Sequence, residues 1–69
     1  MAEFTLAIDG MHCGACVRRA GQALAAVDGL TVSEVRVGAA RLAADDAETA
    51  TAAAIEALAK AGYPARRGE

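Results

Sequence analysis

Two cysteines, Cys13 and Cys16, stand three residues apart in the run Gly10-Met11-His12-Cys13-Gly14-Ala15-Cys16. Everything chemically unusual in the sequence lies in that run. Thiolates are soft ligands that prefer Cu(I), Zn(II), Hg(II) and similar ions, Ag(I) and Cd(II) among them. Cys13 is expected on a loop and Cys16 in the first turn of a helix, a junction that can point both sulfurs at one ion. A helix start adds a positive partial charge and unpaired amide donors. Both lower a thiol pKa, so thiolates exist near neutral pH. A Cu(I) ion held by two thiolates carries one net negative charge, which the helix start also favours.

Other chemistry competes for the same pair. A closed structural zinc site takes four ligands, and only Cys13, Cys16 and His12 are close together here. A thiol-disulfide redox pair is the stronger rival. Thioredoxin-like folds are longer, however, and the aromatic residue usual before their motif is missing. Metal binding is the favoured reading and redox chemistry stays open. Met11 reads as an apolar anchor beneath the loop rather than a third ligand, since Met fills irregular gaps. His12 is the only histidine. Neighbours on an extended loop point apart, so His12 is expected in solvent or against a partner rather than on the ion. Its ordinary pKa of about 6.5 would tune any such contact with pH.

The elements that must position this run are short. The chain has 69 residues and one domain, residues 1–69, is all that such a length allows. Hydrophobic residues make up 55%, but twenty of them are alanine and only thirteen are Val, Leu, Ile or Phe. The core is therefore thin, and alanine supplies mainly helix propensity. Phe4, Leu6 and Ile8 alternate with Thr5, Ala7 and Asp9, which predicts a strand over about residues 3–9. Gly10 to Gly14 form a loop. From Ala15, Val17, Ala20, Leu24 and Val27 share a helical face, with Arg18, Arg19 and Gln22 off it. Asp28-Gly29 end that helix, with Gly29 as a left-handed cap. Gly21 is read as a close packing point within it.

Leu30, Val32, Val35 and Val37 mark a second strand, with a bulge between Val32 and Val35. Gly38-Ala39 are the expected hairpin turn and Arg41-Leu42-Ala43 a third strand. Asp45 and Glu48 resemble a capping box for a second helix. Its inward residues are Thr51, Ala54, Ile55, Leu58 and Ala59. Gly62 stops it and Pro64 prevents its return. Tyr63 to Arg67 remain for a last strand, at an edge because Pro64 donates no backbone hydrogen bond. The order β-α-β-β-α-β predicts an α+β, ferredoxin-like sandwich, a four-stranded antiparallel sheet with two helices on one face.

The run from Gly10 to Cys16, placed after a strand and before a helix, resembles the heavy-metal-associated domain, whose pattern is G-M-x-C-x-x-C. Ala61-Gly62-Tyr63-Pro64 is similar to the last helix-to-strand loop of its bacterial members. The resemblance runs from Phe4 to about Arg67. It implies one soft ion, most often Cu(I), held by Cys13 and Cys16, with Gly10, Met11, His12 and Tyr63 supporting the loop. It implies that the Tyr63 ring screens the ion and that its hydroxyl approaches a sulfur. The family more often carries Thr where this chain has His12. Zinc-exporting relatives often place Asp there, which makes Zn(II) the less favoured cargo.

The expected job is carriage of Cu(I) to a partner by thiolate exchange, the partner being a metal-transporting P-type ATPase or another metal-accepting protein. A detached ATPase metal-binding domain and a Hg(II) or Zn(II) carrier are the alternatives within metal binding. Arg18 and Arg19 suit an acidic partner, with Asp28, Glu34, Asp45, Asp46 and Glu48 placed elsewhere. The apo form is expected to be monomeric, with a metal-bridged dimer open to two facing sites. No acid–base pair, activated nucleophile or phosphate loop is present, so no enzyme is expected. The net charge is −2, with no Trp, one Tyr and one Phe, which leaves little for nucleic-acid binding. No apolar run approaches the roughly 20 residues of a membrane span. No signal peptide is visible, and the expected compartment is the cytoplasm.

Overall fold

The computed structural model of the chain describes residues 2–11 and 14–68. The order is β1 (Ala2–Ile8), α1 (Gly14–Ala25), β2 (Leu30–Arg36), β3 (Ala39–Ala44), α2 (Ala47–Lys60) and β4 (Ala65–Gly68). Alternation along β1 sends Phe4, Leu6 and Ile8 to one face, where all three are buried. The strands form one sheet in the order β2-β3-β1-β4, with every neighbouring pair antiparallel. This is the ferredoxin-like arrangement. Both helices cover the face that β1 fills with its apolar side chains.

Four leucines form the centre, and each is fully buried: Leu6 and Leu42 from the sheet, Leu24 from α1 and Leu58 from α2. Removing any one leaves a cavity at a typical cost of about 2–5 kcal/mol. Around them sit Ala20, Ala40, Ala44 and Ala54, all buried. The alanines are thus more than helix formers. They let the layers approach closely around a small set of larger side chains.

Several local expectations change. Helix α1 ends at Ala25, before Val27. The Val27 amide donates to the Leu24 carbonyl (3.1 Å), and this tighter i−3 bond closes the last turn. Gly29 has a left-handed φ of 77°, but it serves the Val27–Leu30 turn rather than the helix end. The bulge in β2 is present: register shifts between Val32, opposite Leu42, and Glu34, opposite Arg41. The shift restores Val35 to the half-buried face. Val37 lies beyond the strand, so the hairpin turn is Val37-Gly38 and Ala39 already belongs to β3.

The cap of α2 is Asp46 rather than Asp45. Its carboxylate accepts from the Thr49 hydroxyl (2.9 Å) and the Thr49 amide (3.3 Å). These bonds, the hydroxyl first, hold its pKa below the usual carboxylate value. The Asp45–Glu48 box is therefore replaced by an Asp46–Thr49 pair one residue along. Thr51, Ala54 and Leu58 are buried and Ile55 is half-buried, but Ala59 is exposed. The end of α2 is a Schellman turn. The Tyr63 amide donates to the Leu58 carbonyl (2.8 Å) and the Gly62 amide to that of Ala59 (3.0 Å). Gly62 takes the left-handed φ this turn requires, 95°. Pro64 stands just before β4, which lies at the sheet edge.

Gly21 is not the close packing point expected. A Cβ built there comes no nearer than 3.9 Å to Val35 Cγ2, an ordinary contact, and its φ is not left-handed. Gly21→Ala should therefore stabilise the fold by about 0.5–1 kcal/mol through helix propensity. Urea unfolding reads this as a higher midpoint at unchanged slope. A lower midpoint would show that α1 cannot accept the methyl group.

Candidate metal centre

Three segments meet where β1 ends. The Asp9 amide donates to the Pro64 carbonyl (2.8 Å), which ties the loop after β1 to the turn after α2. The Ile8 amide donates to the Gly38 carbonyl (2.9 Å), which brings the β2–β3 turn alongside. The Asp9 carboxylate meets the Arg66 guanidinium at 3.3 Å, closing the β1–β4 side. That pair is exposed, so it contributes little energy. Its effect is to neutralise an acid next to the loop.

Gly10 follows with a left-handed φ of 83°. A Cβ there would approach Tyr63 Cδ1 to 3.9 Å, so the backbone turn rather than lack of space calls for glycine. Met11 is buried within the main core cluster. Its thioether therefore packs into the apolar core. His12 and Cys13 lie outside the described residues.

Cys16 is the third residue of α1, within its first turn. The side chain is half-buried and packs against the core cluster. Tyr63 is buried, and its hydroxyl lies near enough to the Cys16 side chain to be influenced by it. The Cys16 side chain is the largest influence raising the Tyr63 pKa above the usual phenol value, followed by burial. The Arg19 guanidinium opposes it. Tyr63 thus keeps its proton and can donate it towards the Cys16 sulfur. A hydrogen bond donated to a thiolate favours the charged form. A soft cation on that sulfur would keep the same donor beside it.

The Schellman turn explains how Tyr63 reaches this position. It fixes the amide of residue 63 on the last turn of α2, and the Asp9–Pro64 bond then holds the following residue against β1. Residues 16 and 63 are brought together by topology rather than by sequence proximity. Arg18 and Arg19 are both exposed, as expected of a solvated face. The approach of Arg19 to Tyr63 was not legible in the sequence. Its only signal is helical spacing, which sets Arg19 one turn after Cys16. Among the described residues no cluster of three His, Cys, Asp or Glu side chains could hold a metal. No helix there is long and apolar enough to cross a membrane.

Tyr63→Phe keeps the ring against Gly10 and removes the hydroxyl from Cys16. The rate of Cys16 alkylation at neutral pH, followed by peptide mass spectrometry, should change. The thermal unfolding profile should change little. An unchanged rate would show that the hydroxyl does not act on the sulfur.

Residues 5–64 match the heavy-metal-associated domain. The chain is 36% identical over 66 residues to an uncharacterised protein of Haemophilus influenzae, covering 94% of this chain and 97% of that one. It is 40% identical over 60 residues to a segment of copper-transporting ATPase 2 of Rhizobium meliloti, covering 86% of this chain and 7% of the ATPase. Its structure is similar to oxidized MerP from Ralstonia metallidurans CH34, with a TM-score of 0.81 and 33% identity over 99% of this chain and 97% of that one. The strand–loop–helix frame around Cys16, the β-α-β-β-α-β order and these matches agree, and the chain belongs to the heavy-metal-associated domain family.

Proposed function

We propose that residues 1–69 form a single cytoplasmic Cu(I)-carrying domain in which Cys13 and Cys16 hold the ion and pass it to a partner. The observation that carries this reading is Cys16 in the first turn of α1, half-buried against the core and close enough to Tyr63 to influence its phenol. A helix start and a phenol donor both favour a thiolate at that sulfur. Two thiolates suit a soft monovalent ion and leave its coordination open. An incoming partner thiolate adds to the ion, a three-sulfur intermediate forms, and one original sulfur departs. No bond is oxidised or reduced. Tight binding and fast transfer coexist because no step requires a bare ion.

Met11, Gly10 and Tyr63 support the loop in this account, and His12 is not assigned as a ligand. The natural recipient is a metal-transporting P-type ATPase or another protein with an accessible thiolate pair. The match to copper-transporting ATPase 2 supports a second reading, a metal-binding domain of such an ATPase. The same thiolate pair would also serve Hg(II). Zn(II) prefers a fuller tetrahedral set than two cysteines provide.

Anaerobic Cu(I) titration of the reduced protein against a competing chelator tests the reading, with Zn(II) and Hg(II) in parallel. One tightly held Cu(I), abolished in the Cys13→Ser/Cys16→Ser variant and unmatched by Zn(II), is expected. Tight Zn(II) beside weak Cu(I) would move the job to zinc handling. Absence of any tight soft-metal binding would leave a thiol-disulfide protein, which a measured reduction potential would then characterise.

A further inference from the structure

The sheet ends in two edge strands of unequal length. β4 has four residues and β2 has seven, so β2 is the longer open edge. An edge strand offers unpaired amides and carbonyls to any further strand, and proteins guard such edges with bulges and charge. β2 carries both guards. Its register breaks between Val32 and Glu34, which leaves the stretch from Glu34 to the turn as the regular part of the edge. Glu34 and Arg36 on that stretch are exposed.

One copy of the chain leaves these two charges unused. Glu34 stands opposite Arg41 and Arg36 opposite Ala39, so both project from the sheet face that the helices leave open. With Arg41 they line a shallow cavity of about 110 Å³. The ion pairs among the described residues are Lys60–Glu56 and Arg66–Asp9, and neither Glu34 nor Arg36 takes part in one. Val35 lies between them on the helix-covered face, opposite buried Ala40, yet it is only half-buried. Helix α1 leaves room beside it, because even a Cβ at Gly21 would stay 3.9 Å from Val35 Cγ2.

We propose that β2 pairs with β2 of a second copy of this chain, antiparallel and centred on Val35. Facing residues in a sheet point to the same side, and a slip of one residue would align the apolar face of one copy with the open face of the other. Only registers centred on a residue keep the two faces in phase. Centring on Glu34 sets acid opposite acid, and centring on Arg36 sets guanidinium opposite guanidinium. Centring on Val35 sets Glu34 of each copy opposite Arg36 of the other and brings two half-buried valines together. Opposite charges across a strand pair stabilise it and like charges weaken it. The charges that guard this edge against foreign strands therefore admit its own copy in one register. A seam this short is far below the size of a permanent interface, so the pairing is weak and concentration-dependent.

The Ile8–Gly38 bond places the β2–β3 turn and the loop after β1 at one end of the chain. Antiparallel pairing sends those ends in opposite directions. Neither metal loop is covered and no ion is shared, so this pair is distinct from a metal-bridged dimer and does not rest on the carrier reading.

Sedimentation of the reduced, metal-free chain tests the proposal. The unmodified chain should dimerise reversibly as its concentration rises towards about 1 mM. Glu34→Arg and Arg36→Glu should each weaken the dimer at least roughly tenfold, since each sets like charges across the seam twice. Mixed one to one, the two variants should pair with each other at least as tightly as the unmodified chain does with itself, because every facing pair is then opposite in charge. Far-UV circular dichroism checks that both variants stay folded, as substitutions at exposed positions should allow. Amide NMR on dilution should place the shifts around residues 32–37. A chain that stays monomeric to about 1 mM would overturn the proposal. So would a dimer retained in both single variants, a mixture that fails to pair, or association that requires Cu(I).

Discussion

A single backbone hydrogen bond, from the Asp9 amide to the Pro64 carbonyl at 2.8 Å, connects the two loops on which the site depends. On one side it fixes where β1 releases the chain into Gly10 and Met11. On the other it fixes the residue after Tyr63. The Schellman turn has already set the Tyr63 amide on the last turn of α2, so little freedom remains for the ring. With Met11 buried in the core, the chain leaves β1 anchored, and Cys16 comes close enough to Tyr63 to influence its phenol. Most of the conformational entropy of the arrangement is lost when the sheet and helices form. That is the physical sense in which a thin, alanine-rich core can support a defined site.

Much of this frame was legible in the residues. The alternation of Phe4, Leu6 and Ile8 marks β1, and the helical spacing of Val17, Ala20 and Leu24 marks α1. The bulge in β2 follows from the broken alternation after Val32. Glycine was informative where the backbone needed a left-handed residue, as at Gly62, and misleading where it did not, as at Gly21. Caps were less legible because Asp45 and Asp46 offer nearly the same local chemistry. Thr49 decides between them by giving Asp46 two donors.

The site divides in the same way. The spacing of Cys13 and Cys16 narrows the chemistry to soft-metal binding or thiol redox, and Met11 is buried in the core as an apolar residue there is expected to be. What the sequence could not display were relations between distant segments. Asp9 and Arg66 stand 57 residues apart, and only the β1–β4 register brings them together. Arg19 influences the Tyr63 phenol from another element, and the Ile8–Gly38 bond sets the β2–β3 turn beside the end of β1. Each depends on the antiparallel order of the sheet, which local periodicity implies only after the whole topology has been assembled.

The account holds that this frame presents a two-thiolate site with an open coordination shell, and X-ray absorption of the Cu(I)-loaded chain reads that shell directly. It predicts a first shell of sulfur alone, two per copper, with no imidazole scattering from His12. Imidazole scattering, or a closed four-donor shell, would contradict it, because neither leaves the open position through which an incoming thiolate must enter.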